Sequence, residues 1–144
     1  MPEQSYAKHA KFVPLYHQVL FGIIVLTLIG SLVNLYLSIG NHDRLYNASL
    51  ITAISFALAL FFVFVRIFPL KAQDRAIRAE ENLRHYVLTG KLLDPRLTIK
   101  QIVGLRFASD AEFPELARKA AAESLSPDDI KKCVKNWRAD HDRL

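Results

Sequence analysis

The sequence predicts an all-α protein: a membrane helical hairpin, then an amphipathic juxtamembrane helix and a small three-helix cytoplasmic module. Three observations predict it. Two long runs, "VLFGIIVLTLIGSLVNLYLSI" from Val19 and "ASLITAISFALALFFVFV" from Ala48, hold no charged residue. The stretch "LKAQDRAIRAEENLRHYVL" after Pro69 mixes basic, acidic and apolar residues within every turn. Three helix-start signals follow it, and no period-two alternation of a strand occurs anywhere.

The chain has 144 residues, 51% of them hydrophobic and 23% charged, with a formal net charge of +5. At a rise of about 1.5 Å per residue, each charge-free run with its flanks is long enough to cross a hydrocarbon core of roughly 30 Å. Spans are expected at about 17–39 and 48–68, within a hairpin region of residues 1–69. The first run exceeds the roughly 7–15 apolar residues of a secretory signal core and no small-x-small site follows it, so it reads as a retained anchor.

"GNHDRLYN", Gly40 to Asn47, is turn-rich and too short for a domain, which makes the two spans antiparallel. The loop carries Arg44 beside Asp43. Lys8 and Lys11 flank the first span, and Arg66, Lys71, Arg75 and Arg78 flank the second, so both termini are expected on the cytoplasmic side. Tyr6, Phe12, Tyr16 and Tyr46 suit the interfacial aromatic belt.

Neither span holds an ionisable residue in its middle; His17 and Arg66 lie near the ends. Ion or proton transport by this chain alone is therefore not expected. The spans do carry weakly polar residues at helical spacing: Thr27, Ser31, Asn34 and Ser38 on the first, Thr52 and Ser55 on the second. Such residues let spanning helices approach and hydrogen-bond, and the six are the expected helix interface.

Pro69 lacks an amide hydrogen, so a kink or restart is expected there. Residues 70–95 read as a juxtamembrane helix and linker, the helix ending near Gly90. Lys71, Arg75 and Arg78 form one stripe, a candidate headgroup contact worth about 1 kcal/mol per charge. Ala72, Ala76, Ala79, Leu83 and Tyr86 form another. Asp74 to Arg78 and Glu80 to Arg84 have the favourable acid-before-base order at i, i+4.

Residues 96–144 read as a three-helix module. "TIKQ" at Thr98 and "SDAE" at Ser109 have capping-box form, and "SPDD" at Ser126 puts proline at the first helical position with acids behind it. Helices are expected at about 99–107, 110–124 and 127–141. Phe113, Leu116, Ile130, Val134 and Trp137 are the expected core, with Cys133 on the same face as Ile130. A module of roughly 50 residues is marginal alone, so packing on the preceding helix or on a second copy is expected.

The words "QSYAKHAKFVPLYH", "QDRAIRAEE", "LRFASDAE" and "WRADH" resemble an uncharacterised family of small bacterial two-helix inner-membrane proteins, a domain of unknown function. The resemblance runs over nearly the whole chain. It implies a multi-pass protein of the bacterial inner membrane with a cytoplasmic tail and no established activity. Some members are described as transporter components, but no nucleotide-binding or permease signature stands here. A bacterial source also empties the sequon-like "NAS" at Asn47 of meaning.

Catalytic, cofactor and metal sites are not expected. There is no G-x-S-x-G, no phosphate-binding glycine loop, and no histidine pair at ligand spacing among His9, His17, His42, His85 and His141. "RADHDR" at the chain end reads as a solvated tail. "ARKAAAESLSPDDIKKCVKNW" has the outline of a helix-turn-helix, yet Ser124 stands at the turn and Asp128 and Asp129 at the start of the would-be recognition helix. Residues 96–144 hold ten Lys/Arg against eight Asp/Glu, a weak electrostatic footprint. The leading expectation is thus a non-enzymatic, membrane-anchored interaction or scaffold protein, whose partners are the lipid bilayer and either a second copy or another membrane protein. An accessory subunit of a larger membrane complex ranks second, and a membrane-tethered nucleic-acid binder third.

Overall fold

A computed structural model describes residues 13–140. Lys8, Lys11, Tyr6, Phe12, His9, His141 and Asp142 lie outside the described residues. The described residues form five α-helices and no strand, and they divide between Phe68 and Pro69 into two units.

In the first unit, six residues of π-helix, Leu15–Leu20, lead into α1, Phe21–Leu37. Together these 23 residues are long and apolar enough to cross a membrane, and so is the apolar part of α2, His42–Thr89. Helix α1 ends at Ser38, and Gly40 then turns the chain at φ +94°, a value that a side chain would strain. Asn41 restarts it: its side-chain oxygen accepts the Arg44 amide at 3.2 Å and its carbonyl accepts Leu45 N–H at 2.8 Å. The second helix therefore begins at His42, six residues before the expected 48, and the connection shrinks to a tight turn.

The helices of this hairpin meet through small residues. Ser31, Ser38, Ala48 and Ser55 are buried, and short side chains let the backbones close. At the open end Tyr16 stacks on Phe62, centroids 4.5 Å apart, and its hydroxyl donates to the Phe62 carbonyl at 2.5 Å.

Helix α2 runs unbroken through Pro69 for 48 residues. The expected restart there does not occur. One missing amide removes a single i→i−4 bond, and a helix this long absorbs that loss. The helix stops at Gly90, φ +73°.

In the second unit α3, Ile99–Leu105, opens with a complete Thr98–Gln101 capping box, and the Gln101 amide also donates to Leu125 O at 2.8 Å. Helix α4, Phe113–Glu123, ends at Ser124 in the left-handed conformation, φ +51°. Helix α5, Pro127–Cys133, is capped by the Ser126 hydroxyl. Leu93, Leu97, Ile102, Leu105, Phe113 and Ile130 share one core. Gly104 sits where α3 meets α5: a Cβ there would lie 3.1 Å from the Pro127 carbonyl oxygen.

Two expectations about this unit fail. The "SDAE" box does not cap α4, whose first residue is Phe113 after Glu112. Only half of the box forms, Ser109 N–H donating to Glu112 at 3.2 Å. The third helix stops at Cys133 rather than 141, because Glu112 captures the amides of Lys135 and Asn136 at 3.2 and 3.1 Å. The chain then runs extended, Trp137 bridging to Ala108 and Arg138 N–H donating to Phe107 O at 2.8 Å.

Candidate functional site

Charged side chains gather where the last turns of α2 meet the segment between α3 and α4. Glu81 is buried, and Arg84 binds it through Nη1 at 2.9 Å. The same guanidinium reaches Asp110 at 2.7 Å and the Ala108 carbonyl at 2.6 Å, and lies over the Phe113 ring at 4.4 Å. Arg138 approaches the other Glu81 oxygen at 3.8 Å. Arg106, also buried, pairs with Asp140 at 3.1 Å and lies 4.5 Å over Phe107, which Trp137 covers with centroids 4.8 Å apart. A cleft of about 310 Å³ opens among Ile77, Glu80, Glu81, Arg106, Arg138 and Asp140.

These groups largely neutralise one another. Three arginines face four carboxylates, and each buried charge has a partner of opposite sign, which is the condition for burying a charge at all. The arrangement locks the end of α2 to the extended segment after α5. Beside it, burial pushes the Glu112 carboxyl up, but the amides of Ser109, Lys135 and Asn136 outweigh that and hold it below the ordinary carboxylate range. Among the described residues no group of three His, Cys, Asp or Glu is placed to hold a metal ion.

The sequence expected Glu80 to pair with Arg84 and Asp74 with Arg78. The structure gives Arg84 to Glu81 and Asp110, and among the described residues Asp74 and Arg78 form no ion pair. Glu81, three residues before Arg84 on the same helix, is buried where Glu80 is exposed, and Asp110 is brought in by the loop before α4; a surface i, i+4 pair is worth only about 0.3–0.5 kcal/mol.

The predicted interface residues separate. Ser31, Ser38 and Ser55 are buried, and half-buried Thr52 donates to Ser31 O at 3.1 Å across the helices. The serine hydroxyls bond within their own helices, to Leu28, Asn34 and Ile51 carbonyls, each at 2.8 Å. Thr27 is exposed and donates to Ile23 O. Asn34 is exposed, and its side-chain amide has no hydrogen bond among the described residues. The interface works by size more than by hydrogen bonding. An apolar crevice of about 310 Å³ lies beside it, with Leu20, Ile24, Thr27, Ser55, Leu58 and Phe62 in its wall.

Lys71, Arg75 and Arg78 are exposed and form no ion pair among the described residues. Ala72, Ala76, Ala79, Leu83 and Tyr86 are exposed as well, so the second stripe of α2 is not the face that packs on the module. That face is built on Ile77 and Glu81, with Arg84 and His85 half-buried beside them. Its mixed composition hid it from a search for apolar periodicity.

Phe113, Leu116, Ile130 and Val134 are buried, and Trp137 and Cys133 pack on them half-buried. Leu93, from the expected linker, and Leu97, which precedes the first expected helix of the module, belong to the core. In the helix-turn-helix outline, α5 has seven residues, and Lys131 and Lys132 lie 3.7 and 3.8 Å from Asp128 and Asp129.

No curated protein and no solved structure matches the chain. The model of a family of unknown function, DUF6526, matches residues 1–144, and the chain belongs to that family.

Proposed function

We propose that this chain is a non-enzymatic membrane protein whose hairpin anchors a helical module that docks a protein partner. The observation that carries the reading is the surface of the hairpin. Leu26, Tyr36, Leu37 and Phe61 are all more than 60% exposed, and a contiguous apolar surface of this extent requires a bilayer or a protein to cover it. Lys71, Arg75 and Arg78, uncommitted and exposed, suit the anionic headgroups beyond the second span. On this reading the termini face the cytoplasm of a bacterial cell and the Asp43 loop faces outward. The charged cluster then serves as a structural lock that holds the module on the end of α2. Arg84 and Glu81 are engaged with each other and not poised for chemistry.

Alkaline carbonate washing of isolated membranes tests the anchor: the protein should stay in the pellet, and release into the supernatant overturns the reading. Reporter fusions at Asp43 and at the C-terminus test the orientation, with opposite sides expected.

The exposed Asn34 amide favours a second reading, an accessory subunit of a larger membrane complex. An amide turned outward from an apolar helix lacks a partner in lipid, and a polar residue on another protein's span would supply one. Purification in mild detergent separates the two: a stoichiometric membrane protein lost on Asn34→Leu supports the subunit reading.

A further inference from the structure

Helix α2 beyond Pro69 is amphipathic the wrong way round. Its inward face carries Glu81 and Arg84, while Leu83 and Tyr86 are 64% and 54% exposed on the opposite side. We propose that this outer face pairs with the same face of a second copy of the chain, in a parallel two-helix coil along Ala72, Ala76, Ala79, Leu83 and Tyr86.

The spacing is the first argument. These five residues recur at intervals of four, three, four and three, the repeat that keeps one seam turned toward a partner helix in a left-handed coil. Alanine at the first three positions lets two backbones approach closely. The face is also already helical within α2, so pairing meets none of the nucleation cost that makes short isolated helices marginal.

Charge names the occupant. Arg75 immediately precedes the seam residue Ala76, and Glu80 immediately follows Ala79. Both are exposed, and neither has an ion pair among the described residues. In a parallel, in-register coil, the position before one seam residue faces the position five residues further along in the partner. Arg75 of each copy therefore meets Glu80 of the other, and the two-fold axis makes the pair twice. The surface is self-complementary, which an unrelated partner would match only by coincidence. Two copies anchored with one topology present their α2 helices in the same direction, so the parallel arrangement rests on the membrane reading above. Headgroup contact then falls to Lys71 and Arg78, which lie off the seam.

The test uses the full chain in its own membranes, with Cys133→Ser as background. Single variants Ala76→Cys and Ala79→Cys should form disulfide-linked dimers under mild oxidation, severalfold more than Lys71→Cys and Arg78→Cys, which are exposed on the same turns. Arg75→Glu should cut the Ala79→Cys dimer yield severalfold, and Arg75→Glu with Glu80→Arg should restore it. Equal yields on and off the seam overturn the pairing, and a double variant that stays low overturns the register. The same membranes are washed with alkaline carbonate. Protein retained in the pellet without seam cross-links refutes the dimer alone, whereas release by the wash refutes the anchor whatever the cross-links show.

Discussion

The hairpin and the tail module are both pairs of helical surfaces in contact, yet they are held by opposite means. The module buries whole side chains: Phe113 and Ile130 are fully enclosed, and Gly104 leaves no room for a methyl group without displacing Pro127. The hairpin buries almost nothing large. The residues it buries fully are Ala48 and three serines, while most of its leucines and phenylalanines are exposed. On the membrane reading proposed above, the difference follows from what surrounds each. In water, burying apolar area is the main driving force, at roughly 25 cal/mol per Å². In lipid the bulky side chains gain nothing by turning inward, and close backbone approach decides the contact.

Phe113→Ala should break the contrast most sharply. It removes the centre of the module core and the ring under Arg84, and should cost about 3–5 kcal/mol. Limited proteolysis should then cleave within residues 91–140 while the hairpin stays protected. Cleavage in both regions at once would show that the two units do not differ in this way.

Arg84→Met should come next. It leaves the buried Glu81 with only Arg138, 3.8 Å away, and removing one partner of a buried pair costs on the order of 3 kcal/mol. Chemical denaturation followed by Trp137 fluorescence would register the loss. Double substitution of Glu81→Leu with Arg84→Met should recover part of it, since an apolar pair of similar size carries no orphaned charge.

Acid should distinguish the regions through Glu112. Its carboxyl is held below the ordinary value in the folded state, so its contribution is present above the unfolded value near ~4.3 and is lost as pH falls through the folded one. The module should lose stability on that acid limb, and Glu112→Gln should flatten the dependence there. An unchanged acid limb would remove the carboxylate from the account of why the third helix ends at Cys133.

The smallest effect belongs to the hairpin. Thr52→Val deletes the hydrogen bond to Ser31 O and should weaken the helix contact by about 0.6 kcal/mol. Asn34→Leu should leave the contact unchanged, because the Asn34 side chain lies outside it. Thermal unfolding in bicelles, or cysteine cross-linking between positions 31 and 55, would rank the two.

Legibility in the sequence divides along the same line. The all-helical class and the two long apolar helices are plain, because charge-free runs and capping residues are local signals. Thr98–Gln101 and Ser126 cap as their letters predict. What escaped depends on partners distant in sequence. Glu112 lies 23 residues before Lys135, whose amide it captures, and nothing near Asn136 marks the end of a helix. Glu81 looks like any surface acid until Arg138 approaches it from the chain end and Asp110 holds Arg84 beside it. Spacing puts Thr27, Ser31, Asn34 and Ser38 on one face of α1, yet only Ser31 and Ser38 are buried there, and which of the four meet the second helix is not written in the spacing.

The grip of Glu112 on Lys135 and Asn136 has a consequence for how this segment tolerates change. The carboxylate holds main-chain amides, not side chains, and both residues are exposed. Nearly any amino acid can therefore stand at either position without loosening the strap, while proline, which has no amide hydrogen, is barred from both. A saturation library across these two sites should come back permissive everywhere but at proline, so that a segment indispensable to the fold would look dispensable to anyone scanning it with alanine.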